Sequence, residues 1–214
     1  MATAIRAGVE MLNNAGARRV VGVVIDPVAR GLLKLHVPPD AVTVFGTVGA
    51  CVGALVFFPQ GKFVVGVLVI AAFIFSDLLD GTMARMSGTS GPWGNFLDAT
   101  LDRVADGAVF GGLLLWTMYD HQSPWIVAAA LITLIAGQVI SYAKARAEAV
   151  GATANTGIAE RAERLIIALV AAFVAGFGVP FILQAALIVL AVLSVVTVVQ
   201  RMVFVRKQLW QRRD

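Results

Sequence analysis

Four aspartates between residues 76 and 103 have the side-chain type and the spacing to bind metal ions. Asp77 and Asp80 stand three residues apart after an almost uninterrupted apolar run, and Asp98 and Asp102 stand four apart at the start of another. Each pair therefore occupies one face of its own predicted helix. Oxygen-only ligands favour a hard cation such as Mg²⁺, Mn²⁺ or Ca²⁺. Two ions bridged by shared carboxylates would form a catalytic centre.

These carboxylates lie beside segments long enough to cross a membrane, where an acid is costly unless it is neutralised and usually marks a functional site. Simple ion pairing with Arg85 and Arg103 is one alternative, but it does not require four acids in one place. A divalent-cation transporter is another, and it would need ionisable residues in the outer halves of the spans, where the sequence has hardly any. A lipid-binding scaffold gives no reason for the acids. We therefore expect a metal-dependent enzyme.

The composition places these acids in a membrane protein. The chain has 214 residues, of which 59% are hydrophobic and 14% are charged, whereas a soluble domain carries about 25% charged residues. A bilayer-spanning helix needs about 20 mostly apolar residues. We therefore expect an all-α membrane protein with six transmembrane helices, at about Val42–Phe58, Phe63–Arg85, Gly94–Tyr119, Trp125–Arg146, Arg161–Val179 and Phe181–Phe204.

The positive charges predict the orientation. If both termini face the cytoplasm, Lys62 is the only one of the 17 Lys and Arg residues that falls in an external loop. This strong asymmetry follows the positive-inside rule and predicts an integral membrane protein with both termini and the active site facing the cytoplasm. The net charge of +4 reflects the same asymmetry, so we expect no nucleic-acid partner. The single cysteine, Cys51, excludes an intramolecular disulfide.

The segment before the first predicted span mixes apolar residues with four basic ones, Arg18, Arg19, Arg30 and Lys34. Such a pattern favours an amphipathic helix lying in the membrane interface, with its basic side toward anionic headgroups; a juxtamembrane linker is the alternative. The predicted organisation is an N-terminal interfacial segment (1–38), a six-helix catalytic domain (39–206) and a cytoplasmic tail (207–214).

The acidic segment contains the pattern D-x2-D-G-x2-A-R-x8-G-x3-D-x3-D, from Asp77 to Asp102. This pattern resembles the signature of the CDP-alcohol phosphotransferases. The resemblance implies transfer of a phosphatidyl or similar group from a CDP-linked donor to an alcohol, with release of CMP. It also implies a Mg²⁺ or Mn²⁺ cofactor, with two ions expected, and a homodimer.

The resemblance further implies roles for single residues. Asp77, Asp80 and Asp98 would bind the metal; Asp102 would be the general base and a further metal ligand in some members. The donor, CDP-diacylglycerol, would be bound by residues at the start of the first span, at the end of the second span and in the loop that follows it, namely Asp40, Thr43, Gly81, Ala84, Arg85 and Ser90. Asp40 stands where many members have Asn.

A set of polar and basic residues on the same side of the membrane suggests a phosphorylated acceptor, because Arg can bind phosphate in a bidentate manner. The segments SYAKARAE and ERAERLI resemble the actinobacterial phosphatidylinositol phosphate synthases of this family. That resemblance implies an inositol phosphate acceptor near Ser141, Lys144, Arg161, Arg164 and Arg201. Glycerol phosphate is the main alternative acceptor; free inositol and serine would not need the basic set.

Asp106 continues the four-residue series of aspartates but lies outside the signature. We expect it to be a packing or ion-pair partner of a basic residue.

Overall fold

The computed structural model describes residues 15–74 and 76–211, without the side chains of residues 15–22, 24 and 77. Over this part of the chain the regular secondary structure is helical throughout, which confirms the predicted all-α class. The helices are α1 Ala15–Lys34, α2 Pro39–Phe57, α3 Phe63–Ile74, α4 Ser76–Ser87, α5 Pro92–Tyr119, α6 Pro124–Ala149, α7 Arg161–Ala175 and α8 Ile182–Trp210.

Proline and glycine set several of the helix ends. Pro39, Pro92 and Pro124 are each the first residue of a helix, where a missing N–H costs nothing and the fixed φ suits the helix. Gly88 follows α4 with φ of 69°, a conformation that glycine adopts without strain. The next residue, Thr89, donates its backbone N–H to the carbonyl of Ala84 at 3.0 Å. This is the hydrogen bond of a Schellman cap, and it leads the chain toward α5.

Within the described residues, four helical stretches are long and apolar enough to cross a membrane: Pro39–Phe57, Phe63–Ser87, Pro124–Ala149 and Ile182–Trp210. The protein is therefore an integral membrane protein. The other two predicted spans correspond to α5 and α7. Between positions 98 and 106, α5 contains Asp98, Asp102, Arg103 and Asp106, and α7 has only 15 residues. Six spans therefore remain a prediction.

The first compact unit contains residues 15–46, 73, 74 and 76–101. Within it, α1 packs against α4. The small apolar core of this unit joins Ala29 of α1, Val42 of α2 and Met83 of α4. This packing fixes the helical segment that carries Asp80 beside the beginning of α2.

The second compact unit contains residues 47–72 and 102–211. In this unit α6 packs along α8, and α7 also packs against α8. Its core is built from aliphatic and aromatic side chains, among them Phe58, Leu113, Ile126, Leu187 and Leu190. The unit therefore forms the scaffold that holds α7 and its arginines.

Candidate active site

A cavity of about 600 Å³ in the first unit is bordered by the start of α2, by α4, and by the start of α5 with the loop before it. We call it the acidic cavity, because Asp40, Asp80 and Asp98 all line it. Its wall also includes each of the other residues predicted to bind the donor: Thr43, Gly81, Ala84, Arg85 and Ser90. The structure thus brings together residues from three separate parts of the sequence.

Asp80 is the buried carboxylate of the acidic cavity, with 9% of the residue exposed. The Thr43 hydroxyl and the Gly81 backbone N–H are polar groups close to this carboxylate. Its second oxygen, Oδ2, is buried and has no hydrogen-bond partner among the described residues. A buried carboxylate oxygen without a partner is costly, so this oxygen is suited to a ligand that brings positive charge.

The side chains of the acidic cavity are suited to a divalent cation. Asp80 and Asp98 supply only hard oxygen donors, and one of those oxygens lacks a hydrogen-bond partner among the described residues. The side chain of Asp77 lies outside the described ones, so its predicted place in the metal site stays a prediction. Among the side chains that are described, no group of three His, Cys, Asp or Glu residues is arranged to hold a metal ion. A full ligand set would therefore need Asp77 or oxygens of the substrate.

Trp93 is a residue of the acidic cavity that sequence reasoning missed. Its indole Nε1 donates a hydrogen bond to Asp40 Oδ2 at 2.8 Å, and its ring packs 5.9 Å from the ring of Phe96. The tryptophan therefore orients the Asp40 carboxylate at the cavity. The short segment GPWG, which contains Trp93, is rich in glycine and proline and predicts a turn, whereas in the structure Trp93 lies in the first turn of α5. Only an aromatic residue inside such a segment could have drawn attention to it.

Asp102 belongs to a cluster of charged residues in the second unit, the carboxylate–arginine cluster of Asp102, Arg103, Asp106, Arg161 and Arg164. Arg161 Nη2 lies 2.7 Å from Asp102 Oδ1, and Arg161 Nε donates to Asp106 Oδ1 at 3.1 Å. Arg103 Nη2 lies 3.7 Å from Asp102 Oδ2 and 3.5 Å from Asp106 Oδ2. The predicted general base is thus held between two guanidinium groups.

Asp106 is the centre of the carboxylate–arginine cluster. Its side chain is only 4% exposed, and besides Arg103 and Arg161 it faces Arg164, whose Nη2 lies 3.9 Å from Asp106 Oδ2. The partner that the sequence analysis expected for Asp106 is therefore a group of three arginines. The i+4 series of acids along α5 predicted a basic partner for Asp106, but it did not identify Arg103, Arg161 and Arg164 as the partners.

The five residues predicted to bind the acceptor phosphate differ in their surroundings. Arg164 is fully buried, and its Nη1 donates to the Ala159 carbonyl at 3.0 Å. Arg201 is also buried; its Nε donates to the Thr156 carbonyl at 2.9 Å and its Nη1 to the Ile140 carbonyl at 2.6 Å. These two arginines therefore fasten the segment between α6 and α7 as well as carrying charge.

The other acceptor residues lie on α6 and at the start of α7. Ser141 Oγ donates to the carbonyl of Gly137 at 3.4 Å. Lys144 is exposed, whereas Arg161 is half-buried in the carboxylate–arginine cluster. The absence of a side chain at Gly137 leaves room for Arg164, since a Cβ there would lie 3.4 Å from Arg164 Nε. The set thus combines buried arginines with an exposed lysine.

Comparison with known families gives one match over most of the chain. Residues 36–208 match the CDP-alcohol phosphatidyltransferase family. A phosphatidylinositol phosphate synthase of Streptomyces avermitilis is 50% identical over 208 residues, which cover 94% of this chain and 85% of that protein. The synthase of Mycobacteroides abscessus is 49% identical over 191 residues, covering 89% of this chain and 87% of that protein.

Among solved structures, the chain is similar to a phosphatidylinositol phosphate synthase. The phosphatidylinositol phosphate synthase of Mycobacterium tuberculosis, crystallised with CDP-diacylglycerol bound, superimposes with a TM-score of 0.82 at 47% identity. The match covers 85% of this chain and 93% of that one. The same enzyme in complex with manganese and citrate gives a TM-score of 0.81 at 47% identity, covering 85% of this chain and 88% of that one.

Proposed function

Because the chain belongs to the CDP-alcohol phosphatidyltransferase family, we propose that it transfers the phosphatidyl group of CDP-diacylglycerol to an inositol phosphate. The products are CMP and phosphatidylinositol phosphate. Relatives that are about half identical over most of this chain carry that activity in their names. The observation that carries the proposal is the acidic cavity, which gathers Asp80 and Asp98 with the residues predicted to bind the donor.

The donor occupies the acidic cavity in this proposal. The cytidine diphosphate lies along α4, where Gly81 and Ala84 keep the wall thin and Arg85 and Ser90 supply polar contacts. The volume of about 600 Å³ falls in the usual range of about 300–1,000 Å³ for small-molecule sites. The acyl chains of the donor remain in the bilayer, since the protein spans the membrane.

Asp77, Asp80 and Asp98 would hold Mg²⁺ or Mn²⁺, with two ions expected and Asp102 a further ligand. When bound, the metal would neutralise the diphosphate and stabilise the leaving CMP. The manganese complex of the Mycobacterium tuberculosis synthase supports this choice of metal. The Asp80 oxygen that lacks a hydrogen-bond partner supports a cation at this wall of the cavity.

Asp102 is the general base. As the acceptor hydroxyl attacks the phosphorus that carries diacylglycerol, a new P–O bond forms there, the bond to CMP breaks, and the hydroxyl proton passes to Asp102. The guanidinium group of Arg161, 2.7 Å from Asp102 Oδ1, fixes the orientation of this carboxylate. An acceptor phosphate would compete with Asp102 for Arg161, and this would free the carboxylate for the proton.

The acceptor phosphate is bound by Ser141, Lys144, Arg161, Arg164 and Arg201. Arg164 and Arg201 are held by backbone carbonyls, so they present their charge in a fixed geometry, which limits the entropy lost on binding. Lys144 is exposed and able to reach a ligand. This concentration of positive charge supports a phosphorylated acceptor over free inositol or serine.

The proposal includes the membrane arrangement predicted from the sequence. The enzyme has six spans in the bacterial plasma membrane, with both termini and the active site cytoplasmic, and it works as a homodimer. The segment 1–38, which contains α1, lies along the inner interface beside membrane lipids; residues 39–206 form the catalytic domain and 207–214 the tail. The unequal distribution of Lys and Arg supports this orientation.

The direct test offers purified protein CDP-diacylglycerol and Mg²⁺ with inositol phosphate, glycerol phosphate, free inositol or serine in turn, and measures CMP release. We expect release with inositol phosphate, loss of release when the metal is chelated, and recovery with Mg²⁺ or Mn²⁺. Faster release with glycerol phosphate would assign that acceptor instead. The Asp80→Asn variant should lose activity with every acceptor, whereas Asp120→Asn, an exposed acid beyond α5, should keep it.

A further inference from the structure

A groove of about 510 Å³ lies between the C-terminal ends of α6 and α8. We call it the α6–α8 groove. Its walls are largely apolar and include Ala147, Val150, Met202, Val205 and Leu209. No residue predicted to bind the donor lines it, and Arg201 is the only acceptor residue that does. The groove therefore lies outside the donor site and largely outside the acceptor set.

Two exposed arginines, Arg146 and Arg206, stand at the α6–α8 groove. Neither has an ion pair with an acid in the part of the chain that the structure describes. Arg206 is placed 5.4 Å over the ring of Trp210, a cation–π contact that limits its motion. Arg201 differs, because its guanidinium already donates to the Thr156 and Ile140 carbonyls. The apolar wall of the α6–α8 groove thus ends at Arg146 and Arg206, which have no anionic partner among the described residues.

We propose that the α6–α8 groove binds an anionic phospholipid of the membrane. One acyl chain lies along the apolar wall, and the phosphate lies between Arg146 and Arg206. Both α6 and α8 can span a membrane, so the end of the groove where apolar residues give way to arginine lies at headgroup level. Arginine binds phosphate in a bidentate manner, and tryptophan at the position of Trp210 is typical of a membrane interface.

The charges argue against a second copy of the chain as the occupant. In a symmetric dimer the same patch would meet itself. This would bring two pairs of Arg146 and Arg206 close together, and no acid is among the described residues that line the groove. Like charges placed together across an interface cost several kcal/mol. An anionic lipid supplies the opposite charge and an apolar chain at once.

The test is native mass spectrometry of the full-length protein, reconstituted with equal amounts of phosphatidylglycerol and phosphatidylcholine and then released into detergent. We expect phosphatidylglycerol to be retained in preference to phosphatidylcholine. Arg206→Ala should lower that preference about tenfold, since each charge-assisted hydrogen bond is strong. Lys207→Ala is the matched control: it removes one charge from the next position, which does not line the groove, and should retain the lipid like the unmodified protein.

A second variant tests the apolar wall. Ala143→Trp fills the groove and leaves both arginines in place, so lipid retention should fall although the charge is unchanged. A third measurement needs no variant: phosphatidylglycerol should raise the unfolding temperature of the unmodified protein more than phosphatidylcholine does. Transfer activity in phosphatidylcholine alone should be the same for Arg206→Ala and Lys207→Ala.

Several results would overturn the proposal. Equal retention of the two lipids would exclude a site for the anionic headgroup, as would equal loss in Arg206→Ala and Lys207→Ala. Displacement of the lipid by inorganic phosphate alone would assign a phosphate site that needs no acyl chain. Loss of the dimer in Ala143→Trp, without any change in retained lipid, would assign the groove to a second copy. Each of these outcomes leaves the proposed transfer reaction untouched.

Discussion

Arg161 joins Asp102 to Asp106: its Nη2 lies 2.7 Å from Asp102 Oδ1 and its Nε lies 3.1 Å from Asp106 Oδ1. The two carboxylates are four residues apart on α5, so both can face one guanidinium on α7. The proposed base is therefore positioned by an acid that lies outside the family signature.

Asp106→Asn should destabilise the protein and slow transfer. Arg164 is fully buried, and breaking a buried ion pair by removing one partner costs about 3–5 kcal/mol. Because Arg161 also loses its anchor, kcat should fall while the KM for CDP-diacylglycerol changes little. Thermal unfolding and steady-state kinetics measure the two effects. Asp120→Asn, which removes an exposed acid, is the control, and an equal change in both variants would contradict the positioning role.

Asp102→Asn should remove transfer and leave donor binding largely intact. Loss of a general base typically costs about 10²–10⁴ in rate, and the neutral amide can neither accept the hydroxyl proton nor pair with Arg161 as an anion. CMP release measures the rate, and equilibrium binding of CDP-diacylglycerol measures the donor site. Normal turnover in this variant would show that Asp102 is not the base.

Lys144→Ala should raise the KM for inositol phosphate about tenfold, as expected for the loss of one charge-assisted contact. The KM for CDP-diacylglycerol should change much less. Lys62→Ala serves as the control, because Lys62 is also exposed but lies in the turn between α2 and α3. If both substrates were affected equally, Lys144 would not belong to the acceptor site.

Trp93→Phe should weaken donor binding several-fold. The substitution keeps an aromatic ring beside Phe96 but removes the N–H that donates to Asp40, and such a hydrogen bond contributes about 0.5–1.5 kcal/mol. The KM for CDP-diacylglycerol is the measurement. Trp125→Phe, at an 82% exposed position at the start of α6, should behave like the unmodified enzyme. An unchanged KM in Trp93→Phe would mean that orienting Asp40 is unimportant for the donor.

Gly157→Ala should lower the unfolding temperature. Gly157 has φ of 145°, and a Cβ there would collide with Cγ2 of Thr197; strain of this kind costs about 1–3 kcal/mol. Adding Thr197→Ser removes the methyl group but keeps the hydroxyl that accepts the Ala159 N–H, so it should restore part of the loss. A Gly157→Ala protein that unfolds at the original temperature would rule out this packing constraint.

Most of the helices could be predicted from the sequence because apolar runs and proline or glycine turns mark them directly. The start of α3 at Phe63 and the end of α5 at Tyr119 were predicted as observed. The end of α8 was predicted at about Phe204, yet the helix continues to Trp210. Charged residues mark the end of the apolar run in the sequence, but they do not end the helix, because Arg, Lys and Gln are good helix formers.

The site was predicted less completely. A short spacing pattern located Asp80 and Asp98, because residues on one helical face share a periodicity. The residues that the family resemblance assigned to the donor line the same acidic cavity. The hydrogen bond between Trp93 and Asp40 joins positions 53 residues apart, and no local pattern encodes it. Likewise, the carbonyl partners of Arg164 and Arg201 depend on the path of the segment between α6 and α7, which a single sequence does not specify.

The carbonyl contacts of Arg201 bear on how acceptor choice could change over evolution. A guanidinium clamped by Thr156 and Ile140 cannot be exchanged without loosening the backbone around it, so mutation there threatens the fold first. Lys144 is exposed on α6, so a substitution there should disturb the backbone much less. If the proposed acceptor site changed toward a different phosphorylated alcohol, we would therefore expect the first substitutions at Lys144. The buried arginines would be retained because the fold depends on them.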